Sequence, residues 1–201
     1  FNSRVARAQH ETFGFDARRG CVIPNGVDLD FFRPNASVGL EIREELNLPS
    51  TSPVIGHIAR FHPMKDHACF LRAAVKVLRF YPEVRFLLVG REVDLRNPAL
   101  LGIVAPELED RFVFTGERRD PERVLQAMDI LTTSSAWGEG FPNVLGEGMA
   151  CGVPCVTTDV GESAFIVDDS GIVVPPSNPT LLSDGLLQML HKSSKERQSL
   201  G

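Results

Sequence analysis

Two carboxylates, Glu139 and Glu147, lie eight positions apart in the segment Glu139-Gly-Phe-Pro-Asn-Val-Leu-Gly-Glu147, and their type and spacing could do chemistry. Pro142 suits the first position of a helix, since its fixed φ is helical and its missing N–H would have no partner inside the helix. We therefore expect a helix that begins near Phe141 or Pro142. Asn143 and Glu147 are four residues apart and would share one face of it.

The start of this helix would leave the N–H groups of Gly140, Phe141 and Asn143 unpaired between the two acids. Such a terminus attracts anions, whereas a carboxylate accepts hydrogen bonds from hydroxyl groups. A ligand with both phosphates and hydroxyls, such as a nucleotide-sugar, would satisfy both. The alternative is that Glu139 is a solvated loop acid and that Glu147 only complements the helix dipole.

Two cations, Arg60 and Lys65, form a second candidate group, five residues apart between an apolar run and a helical pattern. On a strand-to-helix loop they could converge on a diphosphate, the arginine as a planar fork and the lysine as a point charge. The alternative is that both are solvated or paired with Asp66 and Glu92.

Strand and helix patterns alternate from residue 53 onward and would position these side chains. The apolar runs that predict strands lie at residues 54–59, 84–89, 111–115, 130–133, 153–157 and 171–174. Helical patterns occupy residues 1–14, 39–48 and 68–80, among others. We expect a doubly wound parallel sheet, a Rossmann-like α/β domain over about residues 50–190. Ligands bind such sheets outside the carboxyl ends of the strands, where the loops of Arg60 and Glu139 would meet.

Composition and motifs exclude several classes of protein. The chain has 201 residues, 43% of them hydrophobic, and a net charge of −5 without a basic stripe, which argues against a nucleic-acid partner. No stretch of about 18 apolar residues predicts a membrane span. The segment Gly138-Glu-Gly140-Phe-Pro-Asn143 has Asn where a dinucleotide fingerprint needs its last Gly or Ala. Phosphate-binding, zinc-protease and serine-nucleophile motifs do not occur.

The four cysteines are Cys21, Cys69, Cys151 and Cys155. They are too few and too scattered for a disulfide framework, and their spacing is not that of a zinc site. We therefore expect no bound metal and a reducing compartment, the cytoplasm. The chain starts without a methionine and shows no signal-peptide pattern, so we expect residues to be missing from its natural beginning.

Taken together, the motifs resemble those of the retaining glycosyltransferases of family 4, the glycosyl transferases group 1. The matching segments are Val22-Ile-Pro-Asn-Gly-Val-Asp28, Ile58-Ala-Arg60-Phe with Lys65, Phe112-Val-Phe-Thr-Gly116, Ser134-Ser135 through Pro154, Gly161-Glu162 and Gly171-Ile-Val-Val-Pro175. The resemblance covers nearly the whole chain. It implies one half of a GT-B arrangement, which consists of two Rossmann-like domains. Residues 1–35 would be the tail of the absent N-terminal domain and the linker, and residues 36–201 the donor-binding domain.

The resemblance also implies roles for the charged residues. Glu139 would accept hydrogen bonds from the transferred sugar, and Glu147 from the ribose hydroxyls of the nucleotide. Arg60 and Lys65 would hold the diphosphate and stabilise the charge that develops on it as the glycosidic bond breaks. The expected reaction transfers a sugar from a nucleoside-diphosphate sugar to an acceptor hydroxyl with retention of configuration, without a metal or other cofactor.

The same resemblance implies contacts from the backbone. The amides of Gly140, Phe141 and Asn143 would contact the sugar and the adjoining phosphate, and residues from Val113 to Gly116 would border the base. The acceptor, which could be a glycan, a lipid or a small molecule, would bind largely to the absent domain, as would any membrane surface. The isolated chain is therefore expected to bind nucleotide weakly and to turn over little.

Two positions depart from the family pattern. Gly148 stands where alanine is commoner, and a glycine inside a helix costs about 1 kcal/mol relative to alanine. Asp66 stands where a glycine commonly follows the lysine, which would alter how the loop approaches a phosphate.

Three other functions fit the sequence. A nucleotide-sugar epimerase of the same fold would hold the same nucleotide, a non-catalytic module would only bind it, and a structural domain would not bind it. The sequence does not determine the base, the sugar or the acceptor.

Overall fold

A six-stranded parallel sheet is the centre of the described part of the chain, residues 1–200 of a computed structural model without the side chain of Leu101. Its strands are β1 (Val54–Ile58), β2 (Arg85–Val89), β3 (Phe112–Phe114), β4 (Ile130–Thr133), β5 (Cys155–Thr158) and β6 (Ile172–Val174). Each of the six apolar runs in the sequence forms one of these strands, and the predicted doubly wound α/β fold is confirmed.

The strand order is β3-β2-β1-β4-β5-β6. In this order the chain winds outward from β1 in one direction, then returns and winds outward from β4 in the other. The point between β1 and β4 is therefore the topological switch point, where ligands of such sheets bind.

The ends of β4 are as predicted, and the ends of the other strands differ from the predicted ones by at most two residues. β3 starts at Phe112 because Arg111 still belongs to the 3-10 helix Pro106–Arg111. β5 starts at Cys155, since Pro154 has no N–H to donate and contributes only its carbonyl, which accepts from the Leu131 amide at 3.0 Å.

Helices cover both faces of the sheet. They are α1 (Arg4–Thr12), α2 (Ala36–Glu45), α3 (His67–Val77), α4 (Pro98–Leu101), α5 (Pro121–Leu125), α6 (Asn143–Ala150), α7 (Ser163–Val167), α8 (Pro179–His191) and α9 (Ser194–Gln198). Because side chains of a strand alternate between faces, Phe86 and Leu88 of β2 join a core with α3 and α8. Leu87 and Val89 join a second core that includes residues of α2, α5 and α6.

Three of the four cysteines, Cys69, Cys151 and Cys155, are buried thiols, and Cys21 is exposed. Among the described residues, no helix has the length and apolar character that a membrane crossing needs.

Residues 1–35 contain α1, a 3-10 turn and an extended stretch that lies against the domain. The amide of Ile23 donates to the carbonyl of Phe1 at 2.8 Å, which ties the two ends of this segment together. Several of its large apolar side chains are exposed, and Phe13 is the most exposed of them, at 80%.

Candidate functional site

The loops that follow β1 and β4 meet at the switch point of the sheet. The loop after β1 contains the 3-10 turn Pro63–Lys65. The amide of Ala136, in the loop after β4, donates to the carbonyl of Met64 at 2.8 Å. Ser134 Oγ donates to the carbonyl of Lys65 at 2.8 Å. These bonds fix the backbone on both sides of the predicted phosphate and sugar residues.

Lys65 and Glu139, predicted from separate motifs, form an ion pair across the two loops. Lys65 Nζ donates to Glu139 Oε1, and Ser135 Oγ donates to the same oxygen at 2.5 Å. Their side chains are only 20% and 10% exposed. No donor among residues 1–200 reaches Glu139 Oε2, so this oxygen is available to a ligand hydroxyl.

The alternative partners of Lys65 have other positions. Asp66 caps α3, with its Oδ1 accepting from the amide of Cys69 at 3.0 Å. It has the left-handed conformation, with φ 44° and ψ 54°, which explains why glycine is common at this position. Glu92 is exposed and makes no ion pair with Lys65 in the described structure.

Arg60 lies at the carboxyl end of β1, where the amide of the preceding Ala59 donates to the carbonyl of Val89 at 2.9 Å. Its side chain is exposed, and within residues 1–200 its guanidinium donates no hydrogen bond. All five of its N–H donors remain available to an anion.

A cavity of about 350 Å³ opens beside Arg60 at the carboxyl ends of β1, β2 and β3. Its wall consists of Ile58, Ala59, Arg60, Val89, Gly90, Arg91, Glu117, Arg118 and Pro121. A larger cavity of about 610 Å³ lies beside α2 and α9 and contains none of the predicted site residues.

Val113 and Gly116, predicted to border the base, do not line this cavity. Val113 is half-buried against the second core. Gly116, with φ +71°, accepts from the amide of Gly90 at 2.9 Å and so joins the loops after β2 and β3. The wall beside β3 is formed by Glu117 and Arg118 instead, the next two residues along the chain. Whether Val113 and Gly116 border a base stays a prediction.

Arg118 is held in place by two acids. It donates to Asp120 Oδ2 at 2.7 Å and to Glu45 Oε1 at 2.5 Å. The side-chain hydrogen bonds from Arg118 lower the pKa values of both carboxyls. The guanidinium is therefore a fixed part of the cavity wall. Local motifs do not predict this position, because Glu45 is 73 residues away in the sequence.

Helix α6 begins at Asn143, and the expected start at Phe141 or Pro142 is wrong by one or two residues. Pro142 has φ −72° but ψ 92°, so it is extended and precedes the helix. Within residues 1–200, the amides of Gly140, Phe141 and Asn143 donate no hydrogen bond to backbone or side chain. Asn143 Oδ1 accepts from Asn25 Nδ2 at 2.7 Å.

Glu147 lies in the second turn of α6 and is half-buried. Burial raises the pKa of its carboxyl above the usual range, and no other group contributes to the shift. The carboxylate is partly removed from water and has no hydrogen-bond partner among the described residues, which suits an acceptor for a ligand hydroxyl.

A doubly wound parallel sheet with cations and hydrogen-bond acceptors at its switch point defines a nucleotide-binding α/β domain. Residues 52–192 match the family Glycosyl transferases group 1, and the chain belongs to this family. Its fold is that of one half of a GT-B glycosyltransferase.

Three known proteins illustrate the similarity. The chain is 31% identical over 204 residues to D-inositol 3-phosphate glycosyltransferase of Nocardia farcinica, covering 96% of this chain and 44% of that protein. The crystal structure of Anabaena Alr3699/HepE in complex with UDP-glucose has a TM-score of 0.88 at 25% identity, covering 99% of this chain and 55% of that one. The C-terminal domain of the group 1 protein LpcC of Francisella tularensis has a TM-score of 0.72 at 27% identity, covering 87% and 92%.

The chain is much shorter than its curated relatives. Its matches cover 30% to 47% of the length of eight curated relatives, among them the Nocardia farcinica protein. By contrast, it spans most of the separate C-terminal domain of LpcC.

Proposed function

We propose that the chain binds the donor of a retaining glycosyltransferase, which transfers a hexose from a nucleoside-diphosphate sugar to an acceptor hydroxyl. The observation that carries the proposal is the Lys65–Glu139 ion pair at the switch point, with one free oxygen on Glu139. A bound diphosphate and a bound sugar would then lie side by side, one at each member of the pair.

The diphosphate is assigned to Arg60 and Lys65. Lys65 uses one of its three donors on Glu139, which leaves two for a phosphate. Arg60 is unpaired within the described structure and exposed beside the cavity, and we assign its guanidinium to the same anion. As the bond to the sugar breaks, negative charge accumulates on the leaving diphosphate, and both cations stabilise it.

The sugar is assigned to Glu139 Oε2 and to the free amides of Gly140 and Phe141. The ribose hydroxyls are assigned to Glu147, and the base to the cavity that Arg118 borders. We choose a uridine nucleotide first, because Alr3699/HepE, with the same fold, was solved with UDP-glucose.

Glu139 is assigned a binding role and no covalent step. Its Oε1 is already occupied by Lys65 and Ser135, which suits an acceptor of hydroxyl hydrogen bonds better than a nucleophile. Retention would then follow if the acceptor attacks from the face that the diphosphate leaves. With two cations at the diphosphate position, the proposed transfer uses no metal ion.

The acceptor and the complete activity are assigned to the full-length protein. The chain is less than half as long as its curated relatives, and the exposed apolar residues of 1–35 would pack against a preceding domain. We propose that this domain binds the acceptor, that the 201-residue chain alone transfers little sugar, and that the full-length protein works in the cytoplasm.

The experiment is calorimetric titration of the 201-residue chain with UDP, UDP-glucose, GDP and ADP. We expect nucleotides with one particular base to bind. Arg60→Ala and Lys65→Ala should each weaken the binding of that nucleoside diphosphate. Arg79→Ala should not weaken it, since Arg79 is an exposed arginine between α3 and β2. In the full-length enzyme, the first two variants should lower kcat by about 10²–10³-fold, a few kcal/mol of transition-state stabilisation.

The outcomes separate the proposal from its alternatives. If none of the nucleotides binds, the chain would be a structural domain that does not bind nucleotides. A full-length protein that binds the nucleotide but neither transfers nor isomerises the sugar would be a binding module. Conversion of the nucleotide-sugar without any acceptor would identify an epimerase. Wild-type kcat in both cation variants would refute the diphosphate assignment.

A further inference from the structure

Glu162 is a buried acid that contacts the start of helix α1, far away in the sequence. The residue is 5% exposed. Its Oε1 accepts from the amide of Arg4 at 2.5 Å and from the amide of Val5 at 3.4 Å, and its Oε2 accepts from Arg4 Nη2 at 2.9 Å. Burial opposes the charge, yet the hydrogen bonds from Arg4 outweigh it and lower the pKa of Glu162. An ionised carboxylate thus caps α1 from another part of the fold.

The backbone of the same residue holds the loop that carries Glu139. The amide of Glu162 donates to the carbonyl of Gly140 at 3.0 Å. The preceding Gly161 has φ +64°, and a Cβ there would lie 2.4 Å from the carbonyl oxygen of Glu139. The two loops are therefore in direct backbone contact.

The two residues before helix α1, Asn2 and the N-cap Ser3, also lie beside this loop. Ser3 is fully buried and caps α1 through its Oγ, which accepts from the amide of Ala6 at 2.9 Å. A Cβ on Gly140 would lie 3.2 Å from Asn2 Oδ1 and 3.7 Å from Ser3 Oγ. The segment that leads into α1 therefore lies beside Gly140, and Glu162 contacts both of them.

We propose that Glu162 is a positioning residue that couples α1 to the sugar-binding loop. This inference rests on the proposed function and extends it. Its side chain fixes α1 and its backbone fixes Gly140, so the position of residues 1–12 sets where Glu139 Oε2 meets the sugar. Arg60 and Glu147, which are assigned to the nucleotide, lie on other elements. Lys65 contacts the coupled loop only through Glu139 Oε1, so the coupling should affect the nucleotide less than the sugar.

The coupling predicts different effects on two ligands. In the 201-residue chain, Glu162→Gln should weaken binding of UDP-glucose about tenfold, about 1.4 kcal/mol, while binding of UDP changes less than about twofold. Arg4→Ala should have a smaller effect of the same kind, since it removes the guanidinium contacts and leaves the two amide contacts. Glu83→Ala, an exposed acid before β2, is the matched control.

Hydrogen exchange gives a readout that does not depend on ligand. The amide of Glu162, which is bonded to Gly140, should exchange faster in Arg4→Ala and Glu162→Gln than in the wild type, while amides of β2 should not change. If Glu162→Gln does not fold, Arg4→Ala carries the test, because it keeps the buried carboxylate and its amide bonds.

Each result has one meaning. A wild-type chain that binds none of UDP, UDP-glucose, GDP and ADP, or that binds UDP-glucose no better than UDP, would refute the sugar assignment and the inference with it. A wild-type chain that prefers UDP-glucose, with variants that lose affinity for UDP and UDP-glucose equally or for neither, would refute the inference alone. A selective loss of UDP-glucose with faster exchange at Glu162 would support it.

Discussion

Replacing Gly148 by alanine is expected to destabilise the chain, although alanine is the better helix former. Gly148 is buried in α6, and a Cβ built on it lies 2.4 Å from Leu131 Cδ2. Carbon atoms in favourable contact are about 3.5–4.0 Å apart, so the added methyl overlaps by more than about 1 Å. Leu131 is on β4 and fully buried, and its side chain has no solvent to move into.

The net effect follows from two opposing terms. Alanine gains about 1 kcal/mol of helix propensity over glycine. Overpacking in a closed core costs about 1–3 kcal/mol. We expect a net loss of about 1 kcal/mol, which for a domain of this size lowers Tm by about 2–4 °C. Because Glu147 is the neighbouring residue, displacement of α6 from β4 should also weaken nucleotide binding.

The assay is urea unfolding of four chains: the wild type, Gly148→Ala, Leu131→Val and the double variant. Leu131→Val removes the overlapping Cδ2, so in that background Gly148→Ala should stabilise the chain by its helix propensity of about 1 kcal/mol. The sign of the alanine effect should therefore reverse, with a coupling energy of about 2 kcal/mol, within the range for residues in contact. The same sign and size in both backgrounds would show that the overlap does not limit this position.

Two further predictions concern single acids of the site. Asp66→Ala should lower the free energy of unfolding by about 1–2 kcal/mol, because alanine cannot cap α3 and tolerates the left-handed conformation poorly. In the same urea titration, the free energy of unfolding of Asp66→Asn should stay within about 0.5 kcal/mol of the wild-type value, since asparagine is a comparable cap. Burial raises the pKa of Glu147, so its carboxyl binds a proton more tightly in the folded chain than in the unfolded chain. The contribution of Glu147 to stability therefore falls as the pH rises from the unfolded-state pKa through the folded-state pKa. Glu147→Gln should therefore gain stability relative to the wild type as pH rises from about 4 to 7, and it should lose affinity for UDP at pH 7 because it cannot accept both ribose hydroxyls. An unchanged stability difference at all pH values would contradict the raised pKa, and unchanged UDP affinity would contradict the ribose assignment.

The sequence was sufficient for the fold because buried parallel strands leave a strong local signal. Each of the six strands appears as an apolar run, and the alternation with helical patterns predicts a parallel sheet. The ends of the elements were less predictable. Pro142 illustrates the reason, since its φ suits either the residue before a helix or the first helical residue, and only ψ, which depends on the neighbouring loops, distinguishes them.

The positions of the candidate residues were predictable, but their pairing was not. Arg60, Lys65 and Glu139 lie in loops that follow strands at one edge of the sheet, and Glu147 lies in the helix that the Glu139 loop opens. That Lys65 pairs with Glu139 rather than with the adjacent Asp66 depends on the approach of two loops that are 74 residues apart.

The amino-acid sequence by itself determined the class of fold and placed the charged candidate residues at the carboxyl edge of the sheet, because these depend on local periodicity and on residue type. Only the tertiary structure decided which of those groups are free and which are occupied. Within residues 1–200, Lys65 and Ser135 both donate to Glu139 Oε1 and no donor reaches Oε2. Arg118 lines the cavity at the carboxyl ends of β1 to β3, and Glu162 contacts α1. Such contacts depend on distances between segments remote in sequence, which chain folding sets and local patterns do not encode.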